Sequence, residues 1–340
     1  METHYADTFF RRGAEFLGSR YPIMAGAMTW ISDPKLVATV CNEGGFGTLA
    51  GGNTPPRILE KQIEETRNMT DRPFGVNVIT IAPAYQEHLQ LISKMKPPFV
   101  IFAGSFPKAS EIQLAKEAGA RVLCFASTKS IAERMLRYGV DGLILEGMEA
   151  GGHVGHVSLM ILLQQVLFEF QDIPVFVAGG IASGRMCAHL FLMRAAGVQL
   201  GTRFAVAEES CAHPEFKKYF LRAHARSAVS TPQFDSRLPV VAVRALKNRG
   251  HEEFNKLQME LIGKLDRGEI KRNEAQHQVE NFWMGALRKA VIDGDIEWGS
   301  LMAGQSVGLV DKIQSVREII QELVRDTESE LVRVRDLFIS

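Results

Sequence analysis

The chain has 340 residues, with 39 lysines and arginines against 39 aspartates and glutamates, and 46% of it is apolar. That is the balance of a soluble globular α/β protein with one large domain and at most a small appendage, and it excludes a general attraction to nucleic acid, which needs a basic excess. The opening METHYADTFFRRG lacks the apolar core of a signal peptide and no apolar run approaches membrane-spanning length, which points to a cytoplasmic protein with no membrane partner.

Short apolar runs recur along the first two thirds of the chain, each ending in glycine or small residues. They are Tyr21–Met24, Phe46–Leu49, Gly75–Ile79, Phe99–Phe102, Val122–Phe125, Gly142–Leu145, Val175–Val177 and Gly197–Leu200. Between them lie amphipathic segments such as Asp33–Cys41, Pro56–Arg67, Ser110–Ala118, Ser130–Arg137 and Gly184–Arg194. Strands that are apolar throughout, alternating with helices, predict a parallel sheet covered on its faces; eight such units predict a closed (β/α)8 barrel. A doubly wound open sheet is the competing arrangement. Against it stands the lack of a GxGxxG opening a helix after the first strand; Gly44-Gly45-Phe46-Gly47 precedes its strand instead.

After the eighth strand the pattern turns helical, for example over Glu253–Leu265 and Gln276–Arg288. Residues 212–287 therefore read as a helical cap or substrate domain inserted into a barrel made of 1–211 and 288–340. The closing helix is expected at Val316–Arg325, followed by a separate charged amphipathic helix over Glu328–Ser340.

The chemistry is expected at the glycine-bearing strand ends, which share one face of a barrel. Leu143-Ile144-Leu145 runs into Glu146, Glu149, the pair Gly151-Gly152 and then His153, an imidazole placed where bare backbone admits a close approach. Ala178-Gly179-Gly180 and Gly201-Thr202 follow strands seven and eight, where barrels commonly hold phosphate on free backbone N–H groups. A tight βα turn would use the same glycines. Asn77 and Gln199 are polar residues inside apolar strands and need partners, either a cofactor or a neighbouring backbone group. His153 and His156 form an HxxH without a third ligand, which is read as no metal site. The four cysteines, Cys41, Cys124, Cys187 and Cys211, have no CxxC spacing and read as buried, reduced thiols. From Pro214 to Gly250 there are Lys217, Lys218, Arg222, Arg226, Arg237, Arg244, Lys247 and Arg249 against Glu215 and Asp235, either a solvated face or a dock for an acidic carrier protein or coenzyme phosphates.

These residues resemble a known family, the FMN-dependent (β/α)8 proteins that include nitronate monooxygenases (2-nitropropane dioxygenases) and FMN-dependent enoyl-[acyl-carrier-protein] reductases. The resemblance runs from Tyr21 to about Leu309 and rests on EGMEAGGHVG (146–155), PVFVAGGIASG (174–184) and VQLGTRF (198–204), supported by FGVNV (74–78) and GSLMAGQ (299–305). It implies FMN across the barrel mouth, with Gly26, Ala27 and Met28 against the flavin and Asn77 and Glu146 nearby. Gly151, Gly152, Ala178 and Gln199 fall among the cofactor contacts, Gly179, Gly180, Gly201 and Thr202 hold the phosphate, and His153 is the active-site histidine. EGMEAGGH, TRFAVAEESCAHP and AVRALKN look more like the enoyl reductases, which implies reduction of an enoyl thioester by NADH or NADPH, with an acyl carrier protein as a possible partner and a homodimer as an unsurprising assembly. Nitronate oxidation with O2 is the alternative, and a flavin-binding or carrier-docking protein without catalysis a distant one. Two positions depart from the family's pattern: Ala25 stands where a glutamine is usual beside the flavin, and Arg194 where a glycine is usual before the eighth strand.

Overall fold

A computed structural model describes residues 4–52, 54–238 and 242–339; the first three residues of the opening segment and the last of the tail lie outside it. Its strands are β1 (Ile23–Ala25), β2 (Phe46–Ala50), β3 (Gly75–Ile79), β4 (Phe99–Ala103), β5 (Arg121–Ala126), β6 (Gly142–Glu146), β7 (Gly152–His153), β8 (Val175–Ala178), β9 (Gly197–Leu200), β10 (Ala228–Ser230) and β11 (Val243–Leu246). β1 to β6, β8 and β9 form a closed parallel barrel. β1 pairs with β2 on one side (Met24 opposite Phe46) and with β9 on the other (Ala25 opposite Leu200), so the sheet has no open edge. This is the (β/α)8 arrangement, not the doubly wound one.

The strands read as continuous apolar runs because both of their faces are covered. Met24, Phe46, Ile101, Leu123, Ile144 and Phe176 pack together in one cluster, while Ile23, Ala25, Val100, Val122 and Val177 belong to another with the surrounding helices. The first helix, His4–Leu17, brings Phe16 against the inner cluster, with its ring 5.8 Å from those of Phe99 and Phe176.

Turns after several barrel helices follow one rule. Gly44, Gly119, Gly139 and Arg194 each stand two residues past a helix end with φ of 93°, 92°, 84° and 74°. In each case the next residue's N–H reaches back into the helix, as Ala195 N does to Leu190 O at 3.0 Å. This left-handed turn costs a residue with a Cβ about 1–2 kcal/mol. That is the physical reason for a glycine at position 194, and Arg194 bears the strain.

Three readings need correction. Residues 212–287 hold the long helix Arg249–Asp266 and most of Arg272–Val291, which runs past residue 287, but also β10 and β11, which form a three-stranded antiparallel sheet with β7 of the barrel loop. The closing helix and the tail are one helix, Val316–Asp336, in which Glu328 accepts the Ala6 N–H (2.7 Å) and so caps the first helix. Cys41, Cys124 and Cys187 are buried, whereas Cys211 is exposed. No helix among the described residues is long and apolar enough to cross a membrane.

Candidate active site

The carboxyl ends of the barrel strands open into a cavity of about 300 Å3. Gly26, Ala27 and Met28 line it after β1, Asn77 from β3, Glu146 from β6, Gly151, Gly152 and His153 from the following loop, Ala178, Gly179 and Gly180 after β8, and Gln199, Gly201 and Thr202 at the end of β9. Parallel strands all end on the same side, which is how residues so far apart in sequence meet here.

Two of the loops have the features of an anion cradle. Gly179 and Gly180 both line the cavity and both take left-handed φ, 92° and 73°, a backbone conformation suited to glycine. Among the described residues, the N–H groups of Gly179, Gly180 and Gly201 have no acceptor within the protein. A Cβ at Gly201 would meet no more than Met28 Sδ at 3.8 Å, so the space beside that backbone is open. The Thr202 hydroxyl accepts the Gly304 N–H at 3.1 Å, leaving its own proton free to donate. No lysine or arginine lines the cavity among the described residues, so an anion there would rest on N–H and O–H donors.

The polar strand residues resolve differently. Asn77 donates from Nδ2 to Ile101 O on the adjacent strand (3.0 Å), so a neighbouring backbone group is its partner. Gln199 lies across Gly26, where a Cβ would come within 3.1 Å of its Nε2. Removal from water pushes the Glu146 carboxyl up to about 8. Ala25, by contrast, is buried in the outer cluster and does not line the cavity.

The histidine segment is held from the cap. His153 stands opposite Val243 and Gly152 opposite Arg244 in antiparallel pairing, and Val154 N bonds to Ala242 O at 2.9 Å. The buried Arg244 guanidinium donates to Met148 O (2.9 Å) and Ala228 O (2.6 Å), tying that loop to β10. Glu149 accepts the Leu159 N–H at 3.0 Å and braces the loop from the other side, while the exposed His156 is not part of the cavity wall. What comes close to Gly151 is the chain itself: a Cβ there would sit 2.5 Å from Gly304 N.

One ionisable group escaped the sequence reading. Glu280, on the Arg272–Val291 helix, is buried with Oε2 3.6 Å from His153 Nε2. The signal was a carboxylate on the face of that helix where Val279 and Trp283 are buried.

The basic run of the cap is largely spent on the fold. Lys217 is buried on the carbonyls of Ala207 and Ser210 (2.7 and 2.8 Å), and Arg244 is buried as described. Lys218, Arg237 and Arg249 pair with Glu215, Asp235 and Glu297. Among the described residues, Arg222, Arg226 and Lys247 have no carboxylate at ion-pair distance.

The chain is similar to known proteins over nearly its whole length. The nitronate monooxygenase family matches residues 12–89 and 79–326. FabK from Thermotoga maritima has a solved structure that matches with a TM-score of 0.85 at 34% identity, covering 96% of this chain and 98% of that one. A (3aS,4S,5R,7aS)-5-hydroxy-7a-methyl-1-oxo-octahydro-1H-indene-4-carboxyl-CoA dehydrogenase of Mycobacterium tuberculosis is 30% identical over 343 residues, 93% of this chain and 96% of its own. A probable nitronate monooxygenase of Staphylococcus aureus is 28% identical over 341 residues, 87% of this chain and 91% of its own.

Proposed function

Because the chain belongs to the nitronate monooxygenase family of oxidoreductases, we propose that it is an FMN-dependent enoyl-thioester reductase driven by NADH or NADPH. FMN, when bound, supplies the hydride chemistry, and the protein supplies position, electrostatics and exclusion of water. The residues fit such a group. The free N–H groups of Gly179, Gly180 and Gly201, with the Thr202 hydroxyl, would hold its phosphate, and Gly26, Ala27 and Met28 would face its ring. His153 would hydrogen-bond the thioester carbonyl and help deliver a proton to the α-carbon.

The observation that carries this reading is the apolar wall that Phe216, Leu287, Val291 and Met302 add to the cavity beyond the glycine loops. Such a wall suits an acyl chain and is of little use to a small nitroalkane. The similarity to a protein named for a carboxyl-CoA substrate supports a thioester. The carrier, coenzyme A or an acyl carrier protein, would lie outside the cavity, with Arg222, Arg226 and Lys247 as its cationic contacts.

The test is anaerobic mixing of the purified protein with NADH and then NADPH while the flavin absorbance is followed. Bleaching is expected, then recovery on adding a trans-2-enoyl-CoA. His153→Ala should still bleach but recover at least ~100-fold more slowly. Flavin that stays oxidised with both nucleotides overturns the reading. The similarity to a probable nitronate monooxygenase then brings forward the second reading, flavin-dependent oxidation of alkyl nitronates. Oxygen uptake with a nitronate and without nicotinamide would select it.

A further inference from the structure

Nε2 of His153 is buried and, among the described residues, has no hydrogen-bond partner. The nearest carboxylate is that of Glu280, also buried, at 3.6 Å. An imidazole N–H left without an acceptor costs about 1–3 kcal/mol, and a buried carboxylate is costly until a donor meets it. The two groups have complementary needs across a gap slightly longer than the roughly 2.7–3.2 Å of an N–H···O bond. Catalytic hydrogen bonds are commonly long before substrate binds.

Both partners are held by the same packing. Val243, which stands opposite His153, has its side chain in a cluster with Val279 and Trp283, the neighbours of Glu280 on its helix. The cap core thus sets the separation between carboxylate and ring.

We propose that Glu280 is a positioning residue for His153, its carboxylate accepting the Nε2 proton so that the neutral ring presents Nδ1 to the cavity. The inference rests on the reading that His153 handles a proton at the substrate. When Nδ1 takes up a proton from solvent the ring becomes an imidazolium whose charge the same carboxylate balances; the Nδ1 proton is then the one that hydrogen-bonds the thioester carbonyl and that the ring can give away. Glu280 touches neither substrate nor cofactor and acts through the ring.

The test is 15N NMR of histidine-labelled holoenzyme, with His153 assigned by its loss in His153→Ala, alongside steady-state kinetics. The wild type should show the Nε2–H tautomer. Glu280→Leu, which replaces a buried charge by an apolar side chain, should give a mixture of tautomers and lower kcat by about 10- to 100-fold with KM changed by less than about threefold. Glu280→Gln, whose amide oxygen can still accept from Nε2, should keep the tautomer and recover part of kcat, and it serves as the readout if the leucine variant does not fold. An Nδ1–H tautomer in the wild type, or an unchanged tautomer and kcat in Glu280→Leu, overturns the proposal. The tautomer is read without turnover, so failure of the reductase reading leaves this result intact and separately visible.

Discussion

The guanidinium of Arg244 donates from Nε to the carbonyl of Met148 at 2.9 Å, joining a cap strand to the loop that leads into His153. Its Nη1 bonds to Ala228 O at 2.6 Å, so one buried side chain fixes the loop, β10 and β11 together. The cap is thereby continuous with the histidine segment.

Arg244→Met should therefore strand two carbonyls while keeping the apolar stem. The expected loss of stability is about 2–4 kcal/mol, seen as a lower urea midpoint. In the fraction that stays folded, kcat should fall by about tenfold while flavin content holds. A variant with wild-type stability would show that water or another donor replaces the guanidinium.

Gly151 and Gly201 both line the cavity but answer to different neighbours. An alanine at 151 would press its Cβ within 2.5 Å of Gly304 N, whereas one at 201 meets nothing nearer than Met28 Sδ at 3.8 Å. Gly201 also has φ of −109°, which any residue adopts. Gly151→Ala should destabilise the flavin-free protein by about 1–3 kcal/mol. Gly201→Ala should leave its thermal midpoint unchanged and weaken FMN binding by at least ~10-fold, measured by flavin fluorescence titration. Undiminished flavin binding in Gly201→Ala would remove that loop from the phosphate site.

Arg194 occupies a turn that Gly44, Gly119 and Gly139 occupy in other units, at φ of 74°. It also helps hold the Arg12 guanidinium below its ordinary value, after the larger effect of burial. Arg194→Gly should raise stability by about 0.5–1.5 kcal/mol, since relief of the left-handed strain exceeds the glycine's extra freedom in the unfolded chain. The lost contact of the Arg194 side chain with Gln171 is at the surface and offsets little. A lower urea midpoint would show that the side-chain contact outweighs the turn.

The barrel was legible because each strand carries its own signal, an apolar run ending in small residues, and closure follows from counting eight of them. The cap sheet was not. β7 is two residues long and has no period to read, and the run around Val243 pairs with it across a long stretch of intervening chain. The candidate site was legible through its glycines, but not through what approaches them: Gly151 faces Gly304, and Asn77 bonds to a strand neighbour. Glu328 read as the start of a separate charged amphipathic helix because its partner, the start of the first helix, lies at the opposite end of the sequence. Glu280 departs from its helix's apolar face in a way that periodicity could have flagged, yet the imidazole that gives it meaning comes from the barrel.

Glu146 makes the barrel's stability depend on pH. Burial at the end of β6 disfavours the charged form and pushes its carboxyl from an ordinary 4.5 up to about 8 in the folded protein. Between those values the folded protein holds a proton that the unfolded chain releases. The stability this group contributes is therefore fully present below pH 4.5 and is lost as the pH rises through 8. Glu146→Gln keeps the shape and the hydrogen-bonding capacity but removes the titration. Relative to wild type, the flavin-free variant should gain on the order of 1 kcal/mol per pH unit from pH 5 to 8 and level off above. The difference between the two proteins is the quantity to follow, because His88 and His251, held below their ordinary values mainly by burial, push each curve the opposite way. Thermal midpoints at half-unit steps from pH 5 to 9 check this. A flat difference would mean that Glu146 is already ionised at neutral pH, so that it could meet a cavity ligand solely as an acceptor; a rising one means that it carries a proton there and can donate.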